Sequence, residues 1–432
     1  MMELNIKNFA SIKEASIKID GITVIAGENN TGKSTIGKIL FASFNSLNNL
    51  EVRIKDEINY SIRGLLRNFI RRLNFYSQKK NILVETMTHE FKLNGIVNNI
   101  LNDISNKEDI NDINKKDIEE IIFNNIKEYT NINDKFITQE NIKFISSKIE
   151  EYKNISKEKL SYNIISEYYN DLFYKQINSR IFKNTNAEIE INDFGISFEF
   201  KNDKCFKFKK KDIYDNNVFL IDNPFVLDKK EDYFYSPYIP DSYLISKIHN
   251  RYNKDSILDK TLAEEKLEII YKMLSNAING KIIKKENDFY LAFDNITEPI
   301  SIHNISAGLK SFTIIKMMLE EGILKEKDIL VLDEPEIHLH PKWQLLYAEI
   351  IVLIQKLFNV YIVITTHSPY FLESIELFTK KHGIDGKTNY YLSDIDKKEN
   401  YSTINLVNDR ISEIYYKMAA PIKHLEELSN EL

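Results

Sequence analysis

Cysteine and long apolar runs are scarce in this sequence of 432 residues, and each scarcity excludes a class of protein. The single cysteine, Cys205, excludes an internal disulfide framework and suits a reducing cytoplasm. No run reaches the roughly 20 apolar residues that a membrane-spanning helix needs, and the start lacks the apolar segment of a signal peptide. The sequence therefore predicts a cytoplasmic protein that does not act in a membrane.

Positive charge is not in excess either, since the formal net charge is −6 at pH 7. This balance gives no overall attraction to nucleic acid, although a local basic strip can still form. Arg63, Arg67, Arg71 and Arg72 are spaced so that they share one face of a predicted helix. Such a strip is more often a solvated helix face than a nucleic-acid groove, so DNA is kept only as a candidate partner.

Proline is absent from residues 46–184, and glycine is rare there. The stretch is rich in Asn, Ile, Lys and Glu, and its apolar residues recur at helical spacing, as Ile164, Ile165 and Tyr168 do. Because Ile, Leu, Phe and Tyr are too frequent for a chain that cannot fold, we predict a packed helical insertion. Amphipathic faces such as the one formed by these three residues are expected to dock a partner.

Short alternations of apolar and polar residues predict strands on both sides of the insertion. Residues 4–6 and 17–19 predict edge strands, and residues 188–208 predict a meander that returns to the main domain. A C-terminal helix is predicted to break at Pro421. The predicted parts are the start of an α/β domain over 1–45, the insertion over 46–184, the rest of the domain over 185–406, with a helix over 262–278, and a helical tail over 407–432.

A glycine-rich loop near the N-terminus fits G-x-x-x-x-G-K-[ST], a pattern that binds nucleotide phosphates. Gly27 and Gly32 permit backbone angles and close approaches that a Cβ would block, so several N–H groups can point at one anion. Lys33 can reach the outer phosphates, and Ser34 can ligate magnesium. The predicted nucleotide-binding residues of this loop are Gly27, Asn29, Asn30, Thr31, Gly32, Lys33, Ser34 and Thr35.

An uninterrupted apolar run over 329–332 predicts a strand that is buried on both faces of a parallel sheet. Open α/β sheets bind ligands at the carboxyl ends of their strands, so Asp333, which follows this run, is predicted to hold Mg²⁺ together with Ser34. Glu334 beside it can take a proton from an attacking water, which predicts a general base. A surface turn also favours Asp, Glu and Pro, but that interpretation leaves the phosphate loop unexplained.

These motifs resemble those of ABC-type ATPases, and within that group the branch that includes RecF, the SMC proteins and the overcoming-lysogenization-defect (OLD) nucleases. The resemblance depends on four ordered motifs, and it covers about residues 1–45 and 187–395. It implies an α/β fold: a P-loop ATPase head of the ABC type with a mixed or parallel sheet and a helical insertion lobe. It also implies ATP and Mg²⁺ as ligands.

The resemblance assigns further residues by their position in the motifs. Ser306 and Gly308 would contact the γ-phosphate bound by the other subunit, His340 falls in the D-loop, and His367 would sense the γ-phosphate as the switch histidine. With Glu334, His367 completes the predicted catalytic pair. Ala307 departs from the usual signature, where a glycine is expected. The glutamine that normally links magnesium to the head is not located, because neither Gln78 nor Gln176 has a flanking motif.

The resemblance implies an ATP hydrolase that works as a head-to-tail homodimer or a higher oligomer. About 40 residues follow the head, too few for the nuclease domain of an OLD protein, so a nuclease is expected to act in trans. The sequence resembles the ATPase subunit of Septu-type anti-phage defence systems, which favours an HNH-type effector. A RecF- or SMC-like DNA-repair or DNA-clamping ATPase is the alternative. The run 336–341 disfavours a transporter subunit, and Glu334 disfavours a non-hydrolysing scaffold.

Overall fold

The chain folds into two compact units in a computed structural model. The first, which we call the sheet unit, comprises Met1–Asn48 and Tyr162–Leu432, and the second, the helical unit, comprises Asn49–Ser161. The helical unit lies within the insertion predicted over 46–184, whose residues from 162 onward belong to the sheet unit; the domain assignment itself stays a prediction. The structure describes residues 2–77, 86–106, 115–129, 138–182, 185–211, 216–229, 239–249 and 267–431, except 276, 279, 286–287 and 294–295.

Fourteen strands form two sheets among the described residues. They are β1 Met2–Phe9, β2 Ile12–Ile19, β3 Ile22–Gly27, β4 Ala187–Ile191, β5 Ile196–Lys201, β6 Lys204–Lys209, β7 Val218–Ile221, β8 Lys281–Lys285, β9 Asp288–Ala292, β10 Ile300–Ser301, β11 Ile329–Asp333, β12 Tyr361–Thr366, β13 Thr388–Ile395 and β14 Ser402–Leu406. The large sheet has the order β6-β5-β4-β1-β2-β14-β13-β3-β12-β11-β7, and β8, β9 and β10 form a small sheet.

One half of the large sheet is parallel and the other half is mainly antiparallel. β13, β3, β12, β11 and β7 pair in parallel, whereas β1 pairs antiparallel with β2 and β4. The apolar runs of β3 and β11 are buried on both faces, as continuous hydrophobic strands of parallel sheets are. The predicted fold class, an α/β fold with a mixed sheet and a helical insertion, is therefore confirmed.

The two N-terminal strands are not edge strands, so that prediction was wrong. β4 pairs with β1, where Leu4 lies opposite Ile191, and β14 pairs with β2. The alternation that suggested an edge reflects burial of one face only, which interior strands of an antiparallel region also show. The predicted meander is confirmed as β4, β5 and β6, and it carries the outer edge of this half of the sheet.

Twelve helices lie within the described residues. They are α1 Lys33–Asn45, α2 Leu50–Ser77, α3 Thr86–Asn106, α4 Lys115–Tyr129, α5 Gln139–Lys153, α6 Lys157–Phe173, α7 Pro240–His249, α8 267–274, α9 Ala307–Glu320, α10 Pro341–Phe358, α11 Pro369–His382 and α12 Ser412–Glu431. None of the helices so described is both long and apolar enough to cross a membrane. Residues 262–266 of the predicted helix 262–278 lie outside the described residues, and its described part is α8.

Two helical predictions need correction. α12 continues through Pro421 without the predicted break. A proline removes only one hydrogen bond of a helix, so the neighbouring turns can remain helical. Ile164, Ile165 and Tyr168 do lie on one helix, α6, but all three are buried. Their apolar face is used for packing within the chain, so it does not offer the docking surface that was predicted.

The helical unit has its own apolar core. One face of α2 contributes Ile62, Leu66 and Ile70, spaced at four residues, and α3, α4 and α5 contribute further buried isoleucines. The predicted arginine helix is α2, and Arg63, Arg71 and Arg72 are exposed on it, while Arg67 is half-buried.

Candidate nucleotide-binding site

The phosphate loop joins β3 to α1 and is fixed by close contact with β13. A Cβ on Gly27 would lie 2.1 Å from the carbonyl oxygen of Ser393, its partner in the parallel register. Gly32 has a φ of 90°, which favours glycine, and it caps the N-terminus of α1. The Ser393 hydroxyl donates a 2.8 Å hydrogen bond to the carbonyl of Thr31. These contacts hold the loop in one shape at the start of a helix, where anions bind.

Lys33 lies inside this loop rather than in solvent. Its Nζ donates hydrogen bonds to the carbonyl oxygens of Gly27 at 3.0 Å and Glu28 at 2.7 Å, and lies 3.7 Å from Glu334 Oε1. Burial lowers the pKa of the Lys33 ammonium, and the carboxylates of Glu334 and Asp333 oppose that shift. A phosphate anion in the loop would favour the charged form further, so the position suits a phosphate-binding lysine.

Asp333 ends β11 beside the end of β12. It pairs in register with Thr365, whose buried hydroxyl donates a short hydrogen bond to the Asp333 carboxylate. Thr366 pairs in turn with Ala26, just before the phosphate loop. Because β3, β12 and β11 are parallel, their carboxyl ends meet at one edge of the sheet, and the motifs separated in sequence meet there as well.

Ser34 and Asp333 carry side-chain oxygens, which are the ligand type that Mg²⁺ prefers. Within the described part of the chain, no group of three or more His, Cys, Asp or Glu side chains is arranged to hold a metal. Mg²⁺ prefers oxygen ligands, keeps several waters and is commonly held by one or two protein groups together with substrate phosphates. The donor set therefore fits Mg²⁺ bound with a nucleotide better than it fits a metal held by the protein alone.

Glu334 is held in a strained conformation between a lysine and a histidine. Its φ is 50°, uncommon for a residue with a Cβ, and its N–H donates to the Thr365 carbonyl at 3.1 Å and hydroxyl at 3.0 Å. Glu334 Oε2 lies 3.4 Å from His367 Nδ1, while Oε1 faces Lys33. Strain of this kind is kept where the surrounding structure fixes it, and it often occurs at functional sites.

Glu336 is a component of the site that the sequence did not reveal. It is only 2% exposed, and its Oε1 accepts hydrogen bonds from the Thr366 hydroxyl at 2.5 Å and the His367 N–H at 3.3 Å. Its Oε2 is buried without a hydrogen-bond partner among the described residues. Burial raises the pKa of the Glu336 carboxyl, and the bond from Thr366 opposes the shift. Glu336 thus ties the loop after β11 to His367.

A glutamine that the sequence analysis did not single out, Gln344, joins the loops after β11 and β12. Gln344 donates to the Leu339 carbonyl at 3.1 Å, and its carbonyl oxygen accepts from the Ser368 hydroxyl at 3.4 Å. Gln176 is exposed in the turn after α6, and Gln78 lies outside the described residues. No motif marks Gln344, so only the folded chain reveals this link.

The remaining predicted residues surround a different pocket. Ser306, Gly308 and His340 line it together with His338 and Trp343, and none of the phosphate-loop residues does. Ser306 and His340 cap the N-termini of α9 and α10. A Cβ on Gly308 would lie 2.9 Å from the His338 carbonyl oxygen, so glycine is required at this contact. The structure therefore brings the predicted residues together in two groups.

Known families and structures resemble the chain over most of its length. A family model described as an AAA ATPase domain matches residues 1–372. Similar solved structures include an SMC head bound to the C-terminal winged-helix domain of ScpA (12% identity, 94% of this chain and 97% of that chain, TM-score 0.43). Others are an SMC head from Thermotoga maritima (12%, 94% and 98%, 0.36) and one with a coiled coil and joint from Pyrococcus yayanosii (10%, 97% and 99%, 0.35).

The Ser393 hydroxyl provides a test of the phosphate loop. Ser393→Ala removes the buried hydrogen bond to Thr31, which costs about 1 kcal/mol, so we expect ATP to bind about fivefold more weakly. Isothermal titration calorimetry measures the Kd. Ser374→Ala is the matched control, because Ser374 is also buried and donates to a carbonyl, that of Tyr370, at 2.6 Å in α11. Equal ATP affinities of the two variants would contradict the bracing role of Ser393.

Proposed function

The chain belongs to the AAA ATPase domain family, and from this premise we propose that it is an ABC-type ATPase that binds ATP with Mg²⁺ and hydrolyses it. The proposal depends mainly on the position of Glu334. Its carboxylate lies between Lys33 and His367, at the edge of the sheet where the phosphate loop begins. A carboxylate so placed can accept a proton beside a phosphate bound by Lys33.

Each residue of this site has a proposed task. The backbone of the phosphate loop and Lys33 bind the outer phosphates, and the Ser34 hydroxyl and the Asp333 carboxylate would hold Mg²⁺. The ion supplies positive charge that offsets the charge of the phosphates. Thr365 orients the Asp333 carboxylate by its hydrogen bond.

Glu334 acts as the general base in this proposal. Its backbone is fixed by two hydrogen bonds to Thr365, which limits the positions that the carboxylate can take. His367, whose N–H is held by Glu336, presents its ring to Glu334 and to the γ-phosphate. Glu334 takes the proton of the attacking water, and Lys33 stabilises the charge that develops on the phosphate.

Separate changes of Lys33 and Glu334 test these assignments. Lys33→Ala should weaken ATP binding, whereas Glu334→Gln should keep binding and slow turnover by at least about 10²-fold, the loss typical for a general base. Nucleotide binding and phosphate release are measured. The control is Glu349→Gln, since Glu349 also lies against a lysine and a histidine, Lys381 and His382, but belongs to α10. Wild-type turnover in Glu334→Gln would rule out the general-base assignment.

We propose further that two chains form a head-to-tail dimer with shared sites. Ser306, Gly308 and His340 surround a pocket of their own, so in one chain they do not line the phosphate loop. Phe225 is 45% exposed, and its ring contacts Lys310 of α9, the helix that Ser306 caps. An exposed aromatic side chain beside a pocket suits a surface that a second copy covers.

Mixing two inactive chains tests whether sites are shared. Lys33→Ala removes the phosphate-binding half and Ser306→Arg blocks the signature half, so each chain of a heterodimer supplies what the other lacks. We expect neither variant alone to hydrolyse ATP and the mixture to recover one working site of two. Turnover of a tagged, purified heterodimer is the measurement. A verified heterodimer without recovery would show that the sites are not shared.

We propose that the ATPase senses or gates an effector nuclease supplied in trans, with an HNH-type nuclease favoured and an anti-phage role in the cytoplasm. Large apolar side chains are exposed outside the nucleotide site: Tyr60 and Phe144 in the helical unit, and Tyr416 and Leu425 in α12. These residues support partner docking on the helical unit and α12, in place of the buried face of α6.

Single charges introduced at exposed positions test the docking surface. Phe144→Asp and Tyr416→Asp should each weaken association with a nuclease encoded in the neighbouring reading frame, because a charge opposes burial in an apolar contact. Co-purification and ATP turnover are measured together, and turnover should stay unchanged. Tyr174→Asp is the control, since Tyr174 is 82% exposed but lies in the turn after α6, outside both the helical unit and α12. If both variants still bound the nuclease, the docking surface would have to lie elsewhere on the chain.

A RecF- or SMC-like DNA-clamping ATPase remains the alternative, and one observation favours it. Arg63, Arg71 and Arg72 are exposed on α2, where they can contact phosphates of DNA. The alternative requires that DNA stimulates ATP turnover and that this stimulation falls with added salt. Stimulation that disappears in Arg63→Glu would favour the clamp over the gated effector.

A further inference from the structure

Lys310 is an ionic group buried in the signature helix α9. It is 2% exposed, and its Nζ lies 2.5 Å and 2.6 Å from the two carboxylate oxygens of Asp228 and 3.3 Å from the His303 carbonyl oxygen. Its three donors therefore all have acceptors. A buried lysine with this geometry is unusual, because burying a charge is costly unless the charge is paired and hydrogen-bonded.

Asp228 connects Lys310 to the large sheet. It ends a short 3₁₀ helix, Pro224–Asp228, that follows β7, and β7 pairs in parallel with β11. His303 Nδ1 lies 3.4 Å from the same carboxylate, which places the segment before the signature against it as well. The Lys310–Asp228 ion pair thus connects α9 to the carboxyl end of a strand that neighbours the strand of Asp333.

A second loop contacts the same helix two residues earlier. The His338 carbonyl oxygen lies against Gly308, and His338 belongs to the loop that follows β11. The rings of His338 and Phe225 meet edge to face at 5.5 Å, and Phe225 lies in the 3₁₀ helix of Asp228. The loops after β7 and β11 therefore approach α9 side by side, and Ser306 and Gly308 lie at the start of this helix.

We propose that Lys310 and Asp228 are positioning residues for the signature: they set the location of Ser306 and Gly308 relative to the carboxyl edge of the sheet of the same chain. The proposal rests on the shared site proposed above. Through this ion pair, the half-site that a chain offers to its partner is fixed to the strand edge that holds its own nucleotide. Packing with apolar residues would fill the same space, but an ion pair also fixes distance and direction.

Two substitutions test the pair. Lys310→Met keeps much of the side-chain volume without the charge, and Asp228→Asn removes the charge of the partner. A displacement of about 1 Å in a catalytic arrangement costs about 10²-fold in rate, so turnover by either variant dimer should fall by about that factor. ATP affinity of the phosphate loop should stay within about twofold of wild type, which also reports a folded sheet unit. The double variant should be no slower than either single variant, because both changes break one interaction.

Lys316→Met is the matched control. Lys316 lies on the same helix, is half-buried and donates at 2.6 Å to the Gly280 carbonyl, outside the contacts to the loops after β7 and β11. We expect this variant to hydrolyse ATP at the wild-type rate. A loss equal to that of Lys310→Met would show a general response of α9 to losing a lysine and would overturn the proposal.

Mixed dimers assign the defect to one half-site. A Lys310→Met chain still has its own phosphate loop, so with a Lys33→Ala chain it should recover one working site, as the Ser306→Arg chain does. With a Ser306→Arg chain it should recover none, because both signatures are then defective. Recovery in the opposite pairing, or wild-type turnover in Lys310→Met alone, would overturn the proposal. If a Lys33→Ala chain and a Ser306→Arg chain do not restore activity to each other, the shared site is ruled out, and this proposal is ruled out with it.

Discussion

The parallel register of β3, β12 and β11 is the constraint on which the nucleotide site depends. Hydrogen bonds pair Ala26 with Thr366 and Thr365 with Asp333, so three segments far apart in sequence end at one edge of the sheet. A shift of one residue would turn each side chain to the opposite face and separate Asp333 from Thr365. The apolar runs of these strands are fully buried, so core packing holds the register and with it the geometry of the candidate site.

Carboxylates outnumber the lysine at this edge, since Glu334, Asp333 and Glu336 all lie near Lys33. Lys33 faces Glu334, while Glu336 lies buried behind His367 with one unpartnered oxygen among the described residues. A cation surrounded by carboxylates binds phosphates in competition with those carboxylates, so nucleotide binding must exchange Lys33–Glu334 contact for Lys33–phosphate contact. That exchange would leave the Glu334 carboxylate available to accept a proton when phosphate is in place.

The motifs predicted the parts of the site whose chemistry lies in local sequence. The phosphate loop, Asp333, Glu334 and His367 follow from short patterns, and the structure places them together. Ser393, Glu336 and Gln344 could not be predicted, because their roles depend on partners brought near by the sheet, such as Thr31, 362 residues from Ser393. The prediction that β1 and β2 are edge strands was wrong for the same reason. Alternation shows which face of a strand is buried, whereas the order of strands in a sheet depends on the whole chain.

Separation of the motifs also explains why a helical unit can be inserted between them. The chain leaves the sheet unit after Asn48 and returns to it at Tyr162. The helix before this point, α1, packs against β7 and β11, and Gly37 lies close to Val331 there. The entropy cost of closing a loop grows only slowly, by about 0.6 kcal/mol for each doubling of its length, and a unit with its own core lowers that cost further. The insertion can therefore change in length and surface while the strand edge, and with it the geometry of Lys33, Asp333 and Glu334, stays the same.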